Sequence, residues 1–317
     1  MELHFLGTGA GMPSKLRNTS SLLLDLSAEK HGYWLFDCGE ATQHQLLHTS
    51  LKPRKIEYIF ITHLHGDHLY GLPGLISSRS FLSGEQQEPL HIYGPPGLAA
   101  WLEGTFQLTK THVNYPLYIH ELSEGLLFEN EHFTVYVEQL QHVIPSYGFR
   151  IEQKPLPGKL LIDKALTLGV PKGPLLKRLK DGHNVTLEDG RIIYSKEVTG
   201  EQQQGFIVTI LGDTTYCDAS IRLAQNANIV VHEATFNAET GNIAKDYGHA
   251  TIQDAATVAK ESNAEVLIAN HISARFLPSD LEAFKAEGEH IFSPIYVAND
   301  FDRFEWKHQT LNKIVEE

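Results

Sequence analysis

The segment from His63 to His68 carries three histidines and one aspartate within six residues, directly after an apolar stretch. Alternate side chains of an extended chain share a face, so His63 and His65 can reach one ion together. Gly66 relaxes the backbone and lets Asp67 and His68 turn toward a second position. If these residues served packing alone, four polar side chains would lose their water without gaining a partner, which costs free energy. The segment therefore predicts a metal site.

Six residues cannot complete two coordination shells, so the other ligands must come from distant segments. His142, Asp213 and His271 each follow a predicted strand, and a carboxylate such as Asp213 has two oxygens with which to bridge two ions. Each residue alone also has an ordinary structural interpretation, such as a turn. The two cysteines, Cys38 and Cys217, cannot make a thiolate site. A His/Asp set of this kind suits Zn²⁺ best, with Mn²⁺ as the alternative.

Apolar stretches that end in turn or polar residues predict the elements that position these ligands. An amphipathic helix is predicted over 251–259, with Thr251 as its N-cap. Strands in both halves, with helices between the later ones, favour a sandwich of mixed sheets covered by helices. Ligand sites of such α/β proteins collect at the carboxyl ends of the strands. The predicted strands are 3–6, 21–24, 33–36, 56–61, 90–93, 133–137, 206–211, 228–231 and 266–270.

Composition limits the remaining classes. The 317 residues are 42% hydrophobic and 21% charged, which excludes a disordered, collagen-like or coiled-coil protein. No apolar run approaches the roughly 20 residues that span a bilayer, and the N-terminus shows no secretory signal. We therefore expect a cytoplasmic protein that does not interact with membranes. The net charge of −13 argues against a general nucleic-acid coat protein.

One segment departs from this acidic composition. From 154 to 180 the chain carries seven Lys or Arg residues, four prolines and three glycines, while Asp163 is its one acid. A polar stretch, 195–205, follows it. The sequence leaves two interpretations open: a solvated surface hairpin, or an inserted basic arm over 150–205 that binds an anionic partner.

Taken together, the motifs of this sequence resemble those of the metallo-β-lactamase fold and, within that superfamily, those of short-form ribonuclease Z, the tRNA 3′-processing endonuclease. The His63–His68 motif with its later His, Asp and His specifies only the superfamily. Five further strings, together with His249 and the basic insert, narrow the resemblance to the family. These strings are 5–9 (FLGTG), 37–43 (DCGEATQ), 71–75 (GLPGL), 232–235 (HEAT) and 271–275 (HISAR).

The resemblance covers the whole chain and implies a single α/β domain over 1–317, an αββα four-layer sandwich with a protruding flexible arm. It implies two zinc ions per subunit, one held by His63, His65 and His142. The other would be held by Asp67, His68 and His271, with Asp213 bridging the two ions.

The implied activity is removal of the 3′ trailer from precursor tRNA, which leaves a 3′-hydroxyl on the tRNA and a 5′-phosphate on the trailer. Asp67 is expected to accept the proton of the attacking water, and His249 to protonate the leaving oxygen. The 232–235 string (HEAT) is not the His-Glu-x-x-His motif of zincin proteases, since position 236 is Phe. Glu233 is therefore expected to orient His249 instead.

The family's arm, the exosite, grips tRNA away from the cut, and Lys172 and Gly173 match its tip. The family is dimeric, so a homodimer acting on precursor tRNA, and not on DNA, is expected. Two rival functions remain: a small-molecule phosphodiesterase or ester hydrolase of the same fold, and an RNA-binding protein with structural metals.

Two further groups of residues are candidates for substrate contact. The loop 13–18, with Arg17 and Asn18, resembles the family loop that senses the tRNA 3′ end; its alternative is an ordinary basic surface loop. Ser273 and Arg275 follow the ligand His271 and could contact phosphate, because Arg binds phosphate in a bidentate manner. A structural salt bridge is the alternative for Arg275.

Overall fold

A computed structural model describes residues 1–82 and 88–315 of the chain. Two compact units are present. The first comprises Met1–Glu129, Thr134–Ile151 and Ile207–Glu317, and the second comprises Asn130–Phe133 and Glu152–Phe206. Within the described ranges, no helix is both long enough and apolar enough to cross a membrane.

The strands in chain order are β1 Glu2–Gly7, β2 Gly9–Ala10, β3 Ser21–Asp25, β4 Tyr33–Phe36, β5 Ile56–Phe60, β6 Leu90–Gly94, β7 Leu117–Glu121, β8 Gly125–Glu129, β9 Phe133–Leu140, β10 Ser146–Gln153, β11 Val185–Thr186, β12 Ile192–Ile193, β13 Ile207–Leu211, β14 Ile229–Glu233, β15 Val266–Asn270, β16 Ile272–Ser273, β17 Ile295–Val297, β18 Arg303–Lys307 and β19 Thr310–Ile314. The α-helices are α1 Thr42–Leu47, α2 Gly66–Leu69, α3 Leu72–Leu82, α4 Leu98–Thr109, α5 Ile162–Thr167, α6 Pro174–Lys180, α7 Ser195–Val198, α8 Asp218–Ala224, α9 Gly241–Tyr247, α10 Ile252–Glu261 and α11 Leu281–Glu289.

Two large mixed sheets form the first unit. One has eight strands in the order β19-β18-β1-β3-β4-β5-β6-β7, and the other has seven in the order β17-β15-β14-β13-β10-β9-β8. In the first, β1 and β3 pair antiparallel whereas β4 and β5 pair parallel. In the second, β13, β14, β15 and β17 run parallel. The two mixed sheets with flanking helices confirm the predicted fold class, and all nine predicted strands are present to within a few residues at each end.

Apolar side chains on both faces of the sheets hold the layers together. Between the sheets, Phe36 and Phe60 stack on each other, and both rings contact Phe149 of the opposite sheet. On the outer faces, one core cluster joins the first sheet to helices α1, α3 and α4, and another joins the second sheet to α8, α10 and α11. A sheet that is covered on both faces places its polar ligands only at its strand ends.

Helix α10 begins as predicted. Thr251 Oγ1 accepts from the Asp254 amide at 3.1 Å, and the Asp254 carboxylate accepts from the Thr251 amide at 2.9 Å. This reciprocal capping satisfies two amides that no helical carbonyl can reach. The helix ends at Glu261, two residues later than predicted.

The second unit contains more than a surface hairpin. Helices α5, α6 and α7 and the short pair β11–β12 surround a small core that includes Ala165, Leu179 and Val198. Lys172 and Gly173 are exposed just before α6, and Gly173 has a φ of +140°, which favours glycine. The whole segment 152–206 carries nine basic and seven acidic residues, so its excess of cations is concentrated in the first half.

Candidate metal centre and active site

The end of β5 leads straight into the metal ligands. Beyond β5 the backbone of His65 is extended, and His63 and His65 lie side by side, with His63 Nε2 3.0 Å from His65 Nδ1. The chain then enters α2, whose first turn contains Asp67 and His68. Local backbone geometry therefore places four candidate ligands at one strand end.

Two groups of ligand atoms form around this strand end. In the first, His142 Nε2 lies 3.3 Å from His65 Nδ1, and Asp213 Oδ2 lies 3.6 Å from His63 Nε2. Burial lowers the pKa of His63, with the neighbouring His68 adding to the effect, so the His63 imidazole is neutral at pH 7. A neutral imidazole is the form that binds a metal.

The second group comprises Asp67, His68 and His271. The Nε2 atoms of His68 and His271 are 3.2 Å apart, and each lies 3.4 Å from Asp67 Oδ2. Asp213 lies between the groups, because its Oδ1 is 3.5 Å from His68 Nε2. Although burial opposes ionisation, the surrounding histidines, His271 foremost, hold the pKa of Asp213 well below its usual range. This carboxylate can therefore serve both groups.

Ligands of a tetrahedral zinc ion with Zn–N bonds near 2.05 Å stand about 3.3 Å apart. The shortest separations in the two groups, 3.0 to 3.6 Å, lie near that figure, and all ligand atoms of a group lie within 4.8 Å of one another. The donor set fits two divalent cations, and no thiolate contributes to either group. Asp213, His249 and His271 form a further possible grouping.

Hydrogen bonds on the far side of each ring determine which nitrogen is free for a metal. The Asp37 carboxylate, which can only accept, lies 2.7 Å from His68 Nδ1 and 2.9 Å from Thr62 Oγ1. Thr62 Oγ1 therefore donates to Asp37 and accepts from His63 Nδ1 at 3.0 Å. Likewise the Gly248 carbonyl accepts from His142 Nδ1 at 2.7 Å. The Nε2 atoms of all three histidines thus point lone pairs at the centre.

Glu233 performs the same function on the other side of the site. Its buried carboxylate accepts a hydrogen bond from Thr235 Oγ1 at 2.6 Å. Because the Thr235 hydroxyl donates to Glu233, it accepts from His271 Nδ1 at 2.9 Å. Glu233 also bonds His249 Nδ1 at 2.9 Å. Burial disfavours a charged imidazole, but the Glu233 carboxylate outweighs it and raises the pKa of His249 to about 9. His249 Nε2 is then the nitrogen available to a substrate.

Sequence reasoning missed the roles of Asp37, Thr62 and Thr235. Asp37 belongs to the 37–43 string that supports the family resemblance, but nothing in that string indicates which histidine it orients. Two of the residues involved have unusual backbone geometry: Asp37 has a φ of +58° and the ligand His271 a φ of +56°. Left-handed backbone at non-glycine residues is typical of functional sites.

The glycine-rich first turn positions Asp67. The Gly11 amide donates to Asp67 Oδ2 at 2.8 Å, which orients the carboxylate toward the two histidines of its group. A Cβ at Gly39 would clash with the Asp67 carbonyl oxygen, so only glycine permits this approach.

Arg17 departs from the expected substrate contact. The residue is 6% exposed, and its Nη1 donates at 2.6 Å to both Thr8 Oγ1 and the Ala298 carbonyl. Its Nη2 donates to Asn299 Oδ1 at 2.9 Å. The guanidinium therefore holds the loop 13–18 to the body of the first unit. Asn18 also faces the protein, since its Nδ2 donates to the Glu40 carbonyl.

Ser273 and Arg275 lie just beyond His271. Arg275 is exposed, its Nε donates to Ser273 Oγ at 3.2 Å, and its guanidinium lies 5.0 Å from the centre of the Phe236 ring. Among the described residues no carboxylate forms a salt bridge with Arg275. The structure thus gives no support to the salt-bridge alternative for this residue.

The fold and the paired ligand groups define a protein of the metallo-β-lactamase fold. The chain is similar to the metallo-β-lactamase fold protein YhfI from Bacillus subtilis, with a TM-score of 0.66 and 19% identity over 96% of this chain and 99% of that one. A family model described as Anti-Pycsar protein Apyc1 matches residues 1–157.

More specifically, the chain belongs to the ribonuclease Z family. It is 49% identical to Ribonuclease Z of Anoxybacillus flavithermus over 96% of this chain and 97% of that protein. It is 50% identical to Ribonuclease Z of Geobacillus kaustophilus over 96% of this chain and 98% of that protein. The crystal structure of human tRNase Z, short form, aligns with a TM-score of 0.69 and 31% identity, covering 96% of this chain and 99% of that one.

Proposed function

We propose that this protein is a metal-dependent endonuclease that removes the 3′ trailer from tRNA precursors. The observation that carries the proposal is that two groups of metal-ligand atoms meet at Asp213 and that a separate imidazole, His249, lies beside them, oriented by Glu233. Membership of the ribonuclease Z family supports tRNA as the substrate class.

Two zinc ions would be held by the two groups, His63, His65 and His142 on one side and Asp67, His68 and His271 on the other, with Asp213 shared. When bound, such a pair polarises a phosphate oxygen and makes hydroxide available near neutral pH. Mn²⁺ is the alternative ion for the same donors.

The chain's own residues would supply the proton transfers. Asp67, oriented by the Gly11 amide, accepts the proton of the attacking water. The new P–O bond forms as the P–O3′ bond breaks, and the leaving O3′ takes a proton from His249 Nε2. Glu233, through the 2.9 Å bond to Nδ1, stabilises the imidazolium form of His249, which carries a proton on Nε2 as well as on Nδ1. Both atoms and charge balance, and the trailer retains the phosphate.

We further propose that the second unit is the arm that binds tRNA, with Lys172 and Gly173 at its exposed tip. Cations concentrated in its first half would bind tRNA phosphates, while the rest of the protein, whose acidic residues bring the net charge of the whole chain to −13, repels RNA in general. Arg275 is free of acidic partners among the described residues and would contact substrate phosphate, with Ser273 hydrogen-bonded to it.

We expect a cytoplasmic homodimer.

The test is incubation of a trailer-bearing tRNA precursor with the protein, with and without a chelator, followed by mapping of both new ends. We expect one cut, a 3′-hydroxyl on the tRNA, and loss of activity with chelator. The rival hydrolase would cleave only a small chromogenic diester, and a structural-metal RNA-binding protein would bind the precursor without cutting it.

A matched pair of variants tests the role of His249. We expect His249→Ala to retain its metal content while turnover falls about 100-fold or more, since it removes a general acid. His290→Ala, at an exposed histidine that follows the last turn of α11, serves as the control. Turnover of His249→Ala at the control's rate would refute the proposed role.

A further inference from the structure

A cleft of about 640 Å³ opens beside the metal centre, and His249 forms part of its wall. The cleft lies wholly within the first unit and has the size of small-molecule sites, about 300–1,000 Å³. The wall also includes Gln141, Tyr216, Lys245, Gln253 and Asp254.

The chemistry of the lining excludes a phosphate site. Apart from His249, Lys245 and Asp254 are the two charged residues that line the cleft, and their charges oppose each other. A phosphate site would gather several cations, Arg above all. Amide, hydroxyl and aromatic groups instead suit the uncharged part of a nucleotide, which is its ribose and base.

Tyr216 offers a surface on which a base can stack. The residue is 39% exposed, and its hydroxyl donates to Glu261 Oε2 at 2.6 Å, which holds the ring in place. Single-stranded RNA is recognised by stacking of unpaired bases on aromatic rings and by hydrogen bonds to base edges. The side-chain amides of Gln141 and Gln253 provide both donors and acceptors for such edges.

The direction of proton transfer determines which nucleoside faces the cleft. Glu233 is buried and bonds His249 Nδ1, which leaves Nε2 as the nitrogen that can reach a substrate, and His249 lines the cleft. The oxygen that receives the proton must lie within about 3 Å of Nε2. Under the proposed function that oxygen is O3′ of the nucleotide preceding the cut, and its ribose and base must extend into the adjoining space.

We propose that this cleft binds the ribonucleoside on the 5′ side of the scissile phosphate, the one that leaves with the new 3′-hydroxyl, and that its base stacks on Tyr216. This inference rests on the proposed function and deepens it, because it assigns one nucleoside of the substrate to a defined pocket. Tyr216, Gln141 and Gln253 then act as residues that position the leaving nucleoside.

The test is a double-mutant cycle between the side chain and the base. Three precursors are compared: an intact one, one lacking the base immediately 5′ of the cut, and one lacking the first trailer base. On the intact precursor we expect Tyr216→Ala to lower kcat/KM roughly 10- to 100-fold, the value of one stacked base. On the precursor without the 5′ base the same substitution should change kcat/KM by less than about twofold, because the two losses are not additive.

Two further variants serve as controls. Tyr216→Phe keeps the ring and should retain most of kcat/KM, whereas Tyr118→Ala removes an exposed tyrosine from β7 and should behave as wild type on all three precursors. If thermal unfolding shows that Tyr216→Ala is destabilised, Gln253→Ala on another part of the wall is expected to show the same coupling to the 5′ base.

The outcomes separate this proposal from the function on which it rests. A Tyr216 effect that persists without the 5′ base, or disappears only without the trailer base, would overturn the assignment while precursor cleavage stands. Failure of the wild-type protein to cut any precursor would overturn the proposed function itself, and this inference with it.

Discussion

Asp37 offers the sharpest test of how the centre is built, because one carboxylate orients ligands of both groups. It bonds His68 Nδ1 directly and reaches His63 through Thr62 Oγ1. Asp37→Gly removes these acceptors, and glycine suits the φ of +58° at that position, which alanine would strain. Both imidazoles could then carry their proton on Nε2, where it blocks a metal.

The magnitude follows from the hydrogen bonds that the substitution removes. A hydrogen bond to a charged group contributes about 1.5–3 kcal/mol, and loss of an outer partner typically weakens metal binding about 10- to 100-fold. Since Asp37 supports two ligands, we expect an effect near the upper end of that range. Competition with a chromogenic zinc chelator measures the affinity directly, without reference to catalysis.

The control for this measurement is Asp25→Gly, which removes a carboxylate of the same sheet that accepts from the Ser27 amide. Thermal unfolding of both variants in excess chelator shows whether the fold persists. Zinc affinity of Asp37→Gly within about twofold of the control would mean that hydrogen bonding by Asp37 does not set the ligand tautomers, and the reasoning would fail.

Three other changes test the arm and the framework. Replacing Lys172, Lys177 and Lys180 by serine should make the dependence of precursor kcat/KM on salt shallower, by about one in log–log slope for each phosphate that the arm no longer neutralises; an unchanged slope would count against the arm. Arg17→Met should lower the free energy of unfolding by about 1–3 kcal/mol, because buried acceptors lose their donor, and urea titration measures it; wild-type stability would contradict the structural role. Thr251→Ala should cost about 0.5–2 kcal/mol in the same assay, through loss of the helix cap, and no loss would contradict the capping argument.

Local pattern was enough to predict nine strands, helix α10 and the strand ends that carry the ligands. Apolar runs predicted nine strands of the two large sheets but not β7, β8, β10, β17, β18 and β19. The alternation of an extended chain predicted that His63 and His65 would lie together, and their ring nitrogens are 3.0 Å apart. Thr251 as an N-cap, followed by an amphipathic pattern, predicted the start of α10. These features depend on residues within one or two turns of each other, so a sequence displays them directly.

Other features involve partners that are distant in sequence, which no local pattern reveals. Arg17 belongs to a basic loop by sequence, yet the carbonyl of Ala298 and the side chain of Asn299 bury it. The cleft beside His249 is lined by Gln141, which follows the end of β9, and by residues from 215 to 254, which come much later in the chain. The sequence indicated His249 as a working imidazole but not the space beside it.

By itself, the amino-acid sequence determined nine of the strands, helix α10, the types of metal-binding side chain and the resemblance to a family, because these follow from residue type and short spacing. Only the tertiary structure decided which nitrogen of each histidine faces the centre, which carboxylate orients it, and which cations are buried. His68 and His271 meet at 3.2 Å although 203 positions separate them. Such distances depend on how two packed sheets align their strand ends, which is a property of the whole chain.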